Sequence, residues 1–183
     1  LWPVYGGGET VTICLANEMV KRGWNVSVVY FKDSIRDELP FISQKVEAIK
    51  IDGIDCDEFH SSLNDASKVA RFLTNIVKEK AIDVVINQWW PVDFIKKLKY
   101  DVPAVKVVKC FHTALFSPTR NDGIKGILKV VFKPFYNIVK RKKALAQVDE
   151  FLPYVDKYVF LSPTFQRQYE FWTKDKEKWQ GKL

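Results

Sequence analysis

Cysteine is scarce in this chain. Cys14, Cys56 and Cys110 are the only three in 183 residues, an odd number with no Cys-x-x-Cys pair. That excludes a disulfide framework and a zinc ribbon, and it suits a reducing cytoplasm. Histidine is scarcer still, with His60 and His112 alone and no His-Glu-x-x-His spacing, so a catalytic metal would have to borrow carboxylates from elsewhere. No metal is expected. The chain also lacks any run near the roughly 18 apolar residues of a spanning helix, and its first residues lack a basic-then-apolar signal pattern. The expectation is a protein that neither spans a membrane nor is exported. Internal repeats and low-complexity tracts are missing too.

What is present reads as an ordinary globular domain: 47% of residues are hydrophobic and 28% charged, which excludes long disorder. The 29 basic residues outnumber the 22 acidic ones, for a net charge of +7. Such a surplus points toward phosphate, an anionic membrane surface or nucleic acid.

Along the chain, strand and helix signals alternate. Val11, Cys14, Leu15 and Met19 recur at helical spacing up to Arg22, with Gly23 in the position of a C-terminal cap. Val26 to Phe31, Val46 to Ile51, Asp83 to Asn87, Ala104 to Phe111 and Lys157 to Leu161 are short β-branched and apolar runs, each read as a strand. Helices are expected from near Ser62 or Asp65 through Val77, after Pro91, from about Ile124 to Val148 with a kink at Pro134, and from Ser162 and Pro163 through Trp172. This order predicts an α/β fold, a doubly wound, Rossmann-like parallel sheet covered on both faces, over residues 1–173. Residues 174–183 are charged and aperiodic and read as a tail or interdomain linker. In such a sheet the glycine-rich turn follows a central first strand, yet here Gly6, Gly7 and Gly8 follow only five residues. The first strand is therefore expected to lie upstream of Leu1, in a longer reading frame.

Three glycines ahead of a helix leave backbone N–H groups open beside a positive helix end, a place for phosphate. The plainer reading is a tight turn. The spacing lacks the third glycine of the dinucleotide fingerprint and the lysine of the P-loop. Glu9 is either a stabilising acid of the first turn or a ligand for a substrate hydroxyl.

From Tyr5 to Tyr30 the sequence, with Gly6-Gly7-Gly8-Glu9, Leu15-Ala16-Asn17-Glu18-Met19 and Arg22-Gly23-Trp24-Asn25-Val26 before a strand, resembles the opening of the N-terminal domain of family 4 glycosyltransferases, the retaining GT-B group, whose pattern is Gly-Gly-x-Glu, then Leu-Ala-x-x-Leu, then Arg-Gly-His-x-Val and a strand. Two later segments agree in order and spacing. Val107 to Thr113 is similar to the family's strand ending in His-Gly or His-Thr, and Val155 to Ser162 is similar to its Ala-Asp-x-Val-x-x-x-Ser strand. The resemblance implies a two-domain enzyme that moves a sugar from a nucleotide-sugar donor to a glycan or lipid-linked acceptor, without a metal or other cofactor. It covers only the acceptor-side half, so the isolated chain is expected to be inactive. It also implies that Gly7 and Gly8 offer N–H groups to the donor diphosphate or the acceptor, and that His112 holds a donor sugar hydroxyl in catalysis. After Asp83-Val-Val-Ile the chain departs from the family, with Asn87, Gln88, Trp89 and Trp90 where many relatives carry histidines. These amides and rings are candidate acceptor contacts, or else a tryptophan pair anchoring a loop.

Eight basic residues between Arg120 and Glu150, among them Lys129, Lys133, Lys140, Arg141, Lys142 and Lys143, face three acidic ones and interleave with apolar residues. Such a helix suits an anionic leaflet, which places the enzyme in the cytoplasm, peripheral on the inner membrane face where a lipid-linked acceptor of cell-surface polysaccharide synthesis would be found. A core helix with solvated lysines gives the same pattern. Nucleic acid is not expected, because no recognition motif accompanies the charge. The alternative to a transferase is a non-catalytic α/β module that binds an anion or a membrane. An oxidoreductase is disfavoured by the glycine spacing, Asp33 being its one candidate acid.

Overall fold

The computed structural model describes residues 2–3, 5–33, 35, 37–52, 63–88, 90–111, 133–173, 177 and 181–182. They form two compact units, Leu1–Ile76 and Val77–Leu183.

The first unit opens with α1 (Gly7–Lys21), followed by β1 (Val26–Tyr30) and β2 (Val46–Lys50). β1 and β2 pair in parallel, from Val26 opposite Val46 to Tyr30 opposite Lys50. α1 starts earlier than its apolar period suggests, because Gly7 and Gly8 are themselves its first turn, with extended Gly6 as N-cap. Its fully buried side chains are Ile13 and Ala16, whereas Cys14 is exposed. α1 ends with Trp24 N–H on the Met19 carbonyl at 3.1 Å and Gly23 N–H on the Val20 carbonyl at 3.0 Å. That double bond requires a left-handed residue, supplied by Gly23 at φ +87°. Of a strand ahead of the glycines the structure shows one rung: Trp2 pairs in parallel with Asp33, its N–H donating to the Lys32 carbonyl at 2.8 Å. Trp2, Val46, Ile51, Val69, Ala70 and Ile76 are buried in this unit as well.

α2 (Leu63–Glu79) runs through the division between the units. The second unit then holds β3 (Val84–Asn87), α3 (Val92–Asp101), β4 (Lys106–Phe111), α4 (Lys133–Phe151), β5 (Lys157–Phe160) and α5 (Pro163–Trp172). Its strands form a parallel sheet in the order β3-β4-β5. All the described strands are thus parallel, as expected for the Rossmann-like α/β fold, with β1-β2 paired in the first unit and β3-β4-β5 in the second.

Val107, Ile95, Leu98, Val148, Tyr158 and Tyr169 pack into one apolar core, drawing on both sheet and helices. Burying such side chains contributes roughly 1.5–3 kcal/mol each relative to exposure. Asp156 locks the entry to β5: its carboxylate accepts the Val107 N–H at 2.8 Å and pairs with Lys99 at 3.0 Å and Lys106 at 3.3 Å. Burial pushes that carboxyl up, but these donors outweigh it and hold it below the usual range. Tyr158 donates its hydroxyl to the Val148 carbonyl at 3.0 Å, and burial raises its pKa. At the chain's end the Lys182 carbonyl accepts the Tyr158 N–H at 2.7 Å, so this part of the charged tail is tied to the edge of β5.

The expected helix from Ile124 to Val148 is described from Lys133 and runs on to Phe151. Pro134 is the second described residue of that helix. Residues 124–132 lie outside the described residues.

Candidate functional site

Parallel α/β sheets bind ligands at the carboxyl edge of their strands. The first unit's candidates are the glycines at the start of α1. Gly7 is exposed and Gly8 buried, and apart from adjacent residues and the helix's own backbone no atom of the described residues lies within 4 Å of where a Gly7 Cβ would stand. The first intrahelical bond runs from Thr10 N–H to the Gly6 carbonyl at 2.8 Å, so the preceding N–H groups point out of the helix end. Glu9 folds its carboxylate back over Gly6, where an added Cβ would collide with it. A negative group at this end is favoured by the macrodipole.

Asp33, just past β1, is taken up by protein partners. Lys50 pairs with one carboxylate oxygen and the Tyr30 hydroxyl donates to the other at 2.8 Å. The Lys50 bond, then the Tyr30 bond, hold the Asp33 carboxyl below its ordinary range; the same contacts raise the pKa of Lys50 and of Tyr30. A ribose-binding acid needs those oxygens for its ligand, which weakens the dinucleotide reading further.

In the second unit β3, β4 and β5 end at Asn87, Phe111 and Phe160. Asn87 is 2% exposed and its amide closes on the backbone of Trp90: Oδ1 accepts the Trp90 N–H at 2.8 Å and Nδ2 donates to the Trp90 carbonyl at 3.1 Å. The Trp90 ring meets Phe94 edge-on at 5.2 Å. Gln88 follows, half-buried. Beyond β5, Ser162 caps α5 by accepting the Phe165 N–H at 3.3 Å. His112 comes directly after Phe111; it, Trp89 and Lys129 lie outside the described residues, as do the side chains of Lys133 and Lys140.

The sequence reading passed over Lys109. It sits mid-strand in β4, 6% exposed, and burial pushes its ammonium down to about 8. The signal was there: Val107, Lys109 and Phe111 alternate onto one face of an otherwise apolar run. On α4, Lys142 and Lys143 are exposed beside half-exposed Ile138 and Val139, while Val148 is buried. Among the described residues no three of His, Cys, Asp and Glu gather to hold a metal, and no helix is long and apolar enough to cross a membrane.

The family model of Glycosyltransferase Family 4 matches residues 5–178. The chain belongs to glycosyltransferase family 4. A comparison with curated proteins finds no match. Family 4 membership implies a sugar donor and an acceptor as substrates, and the matched stretch takes in the candidate residues of both units.

Proposed function

We propose that this family 4 chain is the acceptor-side half of a retaining GT-B enzyme that transfers a sugar from a nucleotide-sugar donor to a glycan or lipid-linked acceptor in cell-surface polysaccharide synthesis. The observation that carries the reading is the first turn of α1. Gly7 is exposed with open space beside its Cα, so a diphosphate can approach the N–H groups of Gly7 and Gly8 at the positive end of the helix. Glu9, next to them, is the proposed partner of a substrate hydroxyl. His112, one residue past β4, is the proposed ligand of a donor sugar hydroxyl, turning the anomeric carbon toward same-face attack assisted by the leaving phosphate. Gln88 and Trp89 are the proposed acceptor contacts, with Asn87 bracing their turn. Neither a metal nor another cofactor is proposed. Activity belongs to the complete two-domain enzyme, stationed in the cytoplasm and peripheral on the inner membrane face.

Gly7→Ala in the complete enzyme tests this. Alanine is a better helix former, so the fold gains up to about 1 kcal/mol. The methyl group stands where the diphosphate must come, and loss of such backbone donation lowers kcat/KM by about a hundredfold. Transfer at the wild-type rate would overturn the role of α1, and an unimpaired His112→Ala enzyme would remove that of the histidine. A nucleotide sugar protects the enzyme against thermal unfolding under this reading, whereas a nicotinamide dinucleotide does not.

A further inference from the structure

One buried charge of the second unit has no counter-charge among the described residues. Among those residues the Lys109 ammonium makes one hydrogen bond, to the Gln88 carbonyl at 3.1 Å. Around it lie rings: the Phe151 centroid is 5.0 Å away and the Phe111 centroid 5.6 Å. Rings stabilise a cation but do not replace its lost hydration, so an ammonium here weakens the fold compared with an apolar side chain of the same length. Core packing therefore does not account for the amine.

What the amine does hold is Gln88, where β3 gives way to the turn before α3. The far side of that turn is fastened to the residue before Gln88, by the two Asn87 bonds to Trp90, and by Trp90 against Phe94, so a shift of the Gln88 backbone reaches the Trp90 N–H. Gln88 stands between two fixed points, and its Oε1 is buried with no hydrogen-bond partner among the described residues.

We infer that Lys109 is a positioning residue, whose ammonium sets the backbone of the turn between β3 and α3 at Gln88 and so presents the Gln88 side chain in one conformation. That this side chain meets an acceptor rests on the function proposed above; that Lys109 holds the turn does not.

Lys109→Met keeps the length and removes the donor. In the variant the urea midpoint rises, while the Trp90 amide exchanges with solvent about tenfold faster, the local effect of losing one charge-assisted hydrogen bond. Amides of α5 keep or gain protection. In the complete enzyme the acceptor KM rises about fivefold with kcat held, a split that a packing role would not produce. Unchanged Trp90 protection would overturn the inference. So would a lowered urea midpoint, which would make the ammonium a support of the core itself. Absence of transfer by the wild-type enzyme would overturn the acceptor reading alone, and the exchange measurement decides the positioning role in that case too.

Discussion

Two helices of this chain end by the same backbone device with different residues at its tightest point. After α1 the left-handed position is Gly23; after α2 it is Ala81, at φ +49°, with Ile82 N–H on the Val77 carbonyl at 3.0 Å and Ala81 N–H on the Lys78 carbonyl at 3.3 Å. A Cβ is strained in that region, and Ala81 is exposed, so its methyl group gives no packing in return. Ala81→Gly is expected to stabilise the fold by about 0.5–1 kcal/mol, the relief of strain outweighing the greater freedom of glycine in the unfolded chain. Urea unfolding measures it; a lower midpoint in the variant would contradict the account. The contrast also explains what could be read in advance. Gly23 after an apolar run marks a helix end in the sequence, whereas Ala81 leaves no such mark, since alanine ordinarily favours the helix it here terminates.

At the scale of elements, strands bounded by polar or turn residues were the most legible. β1 to β5 each fall within two residues of their apolar runs. Directions were harder. Between Val11 and Ala16 every residue but Thr12 is apolar, so period alone does not choose between Cys14 and Ile13 as the inward position, and packing chose Ile13. α4 poses the same question on its outer side. Val139 stands half-exposed with Lys142 three positions on and Lys143 four, which puts one apolar and two cationic side chains on a single outward face. Under the membrane reading, Lys142→Glu together with Lys143→Glu weakens binding to vesicles containing anionic lipid by at least about tenfold at low salt, each basic residue contributing roughly 1 kcal/mol. Co-sedimentation checks it, and raising the salt should release the wild-type protein as well. If the wild type stays in the supernatant at low salt, those lysines are solvated and nothing more.

For the molecule as a whole, the alternation of β and α and the family pattern were legible because they are carried by order along the chain. The order of the strands within each described sheet was not, because pairing depends on which edges find a partner in space. Lys109 belongs to the same class of hidden facts: its charge was visible, its depth was not. That depth has a consequence for global stability. Burial favours the neutral amine, so the folded chain releases this proton at about 8 whereas the unfolded chain keeps it to the ordinary lysine range. Below pH 8 both states are protonated and the folded state carries the full penalty. Above it the unfolded state binds more protons at this site, and the contribution of Lys109 to stability rises with pH until the unfolded lysine also titrates. Lys109→Met removes both the penalty and the slope. The variant should therefore exceed the wild type by up to about 3 kcal/mol at pH 7, and the gap should close toward pH 10. Urea midpoints of the two proteins at pH 7, 8.5 and 10 decide it, since taking the difference cancels the other groups that titrate in this range. A gap that stays constant with pH would mean that the amine keeps its charge in the fold, and that the aromatic surroundings and the Gln88 carbonyl compensate fully for the water it has lost.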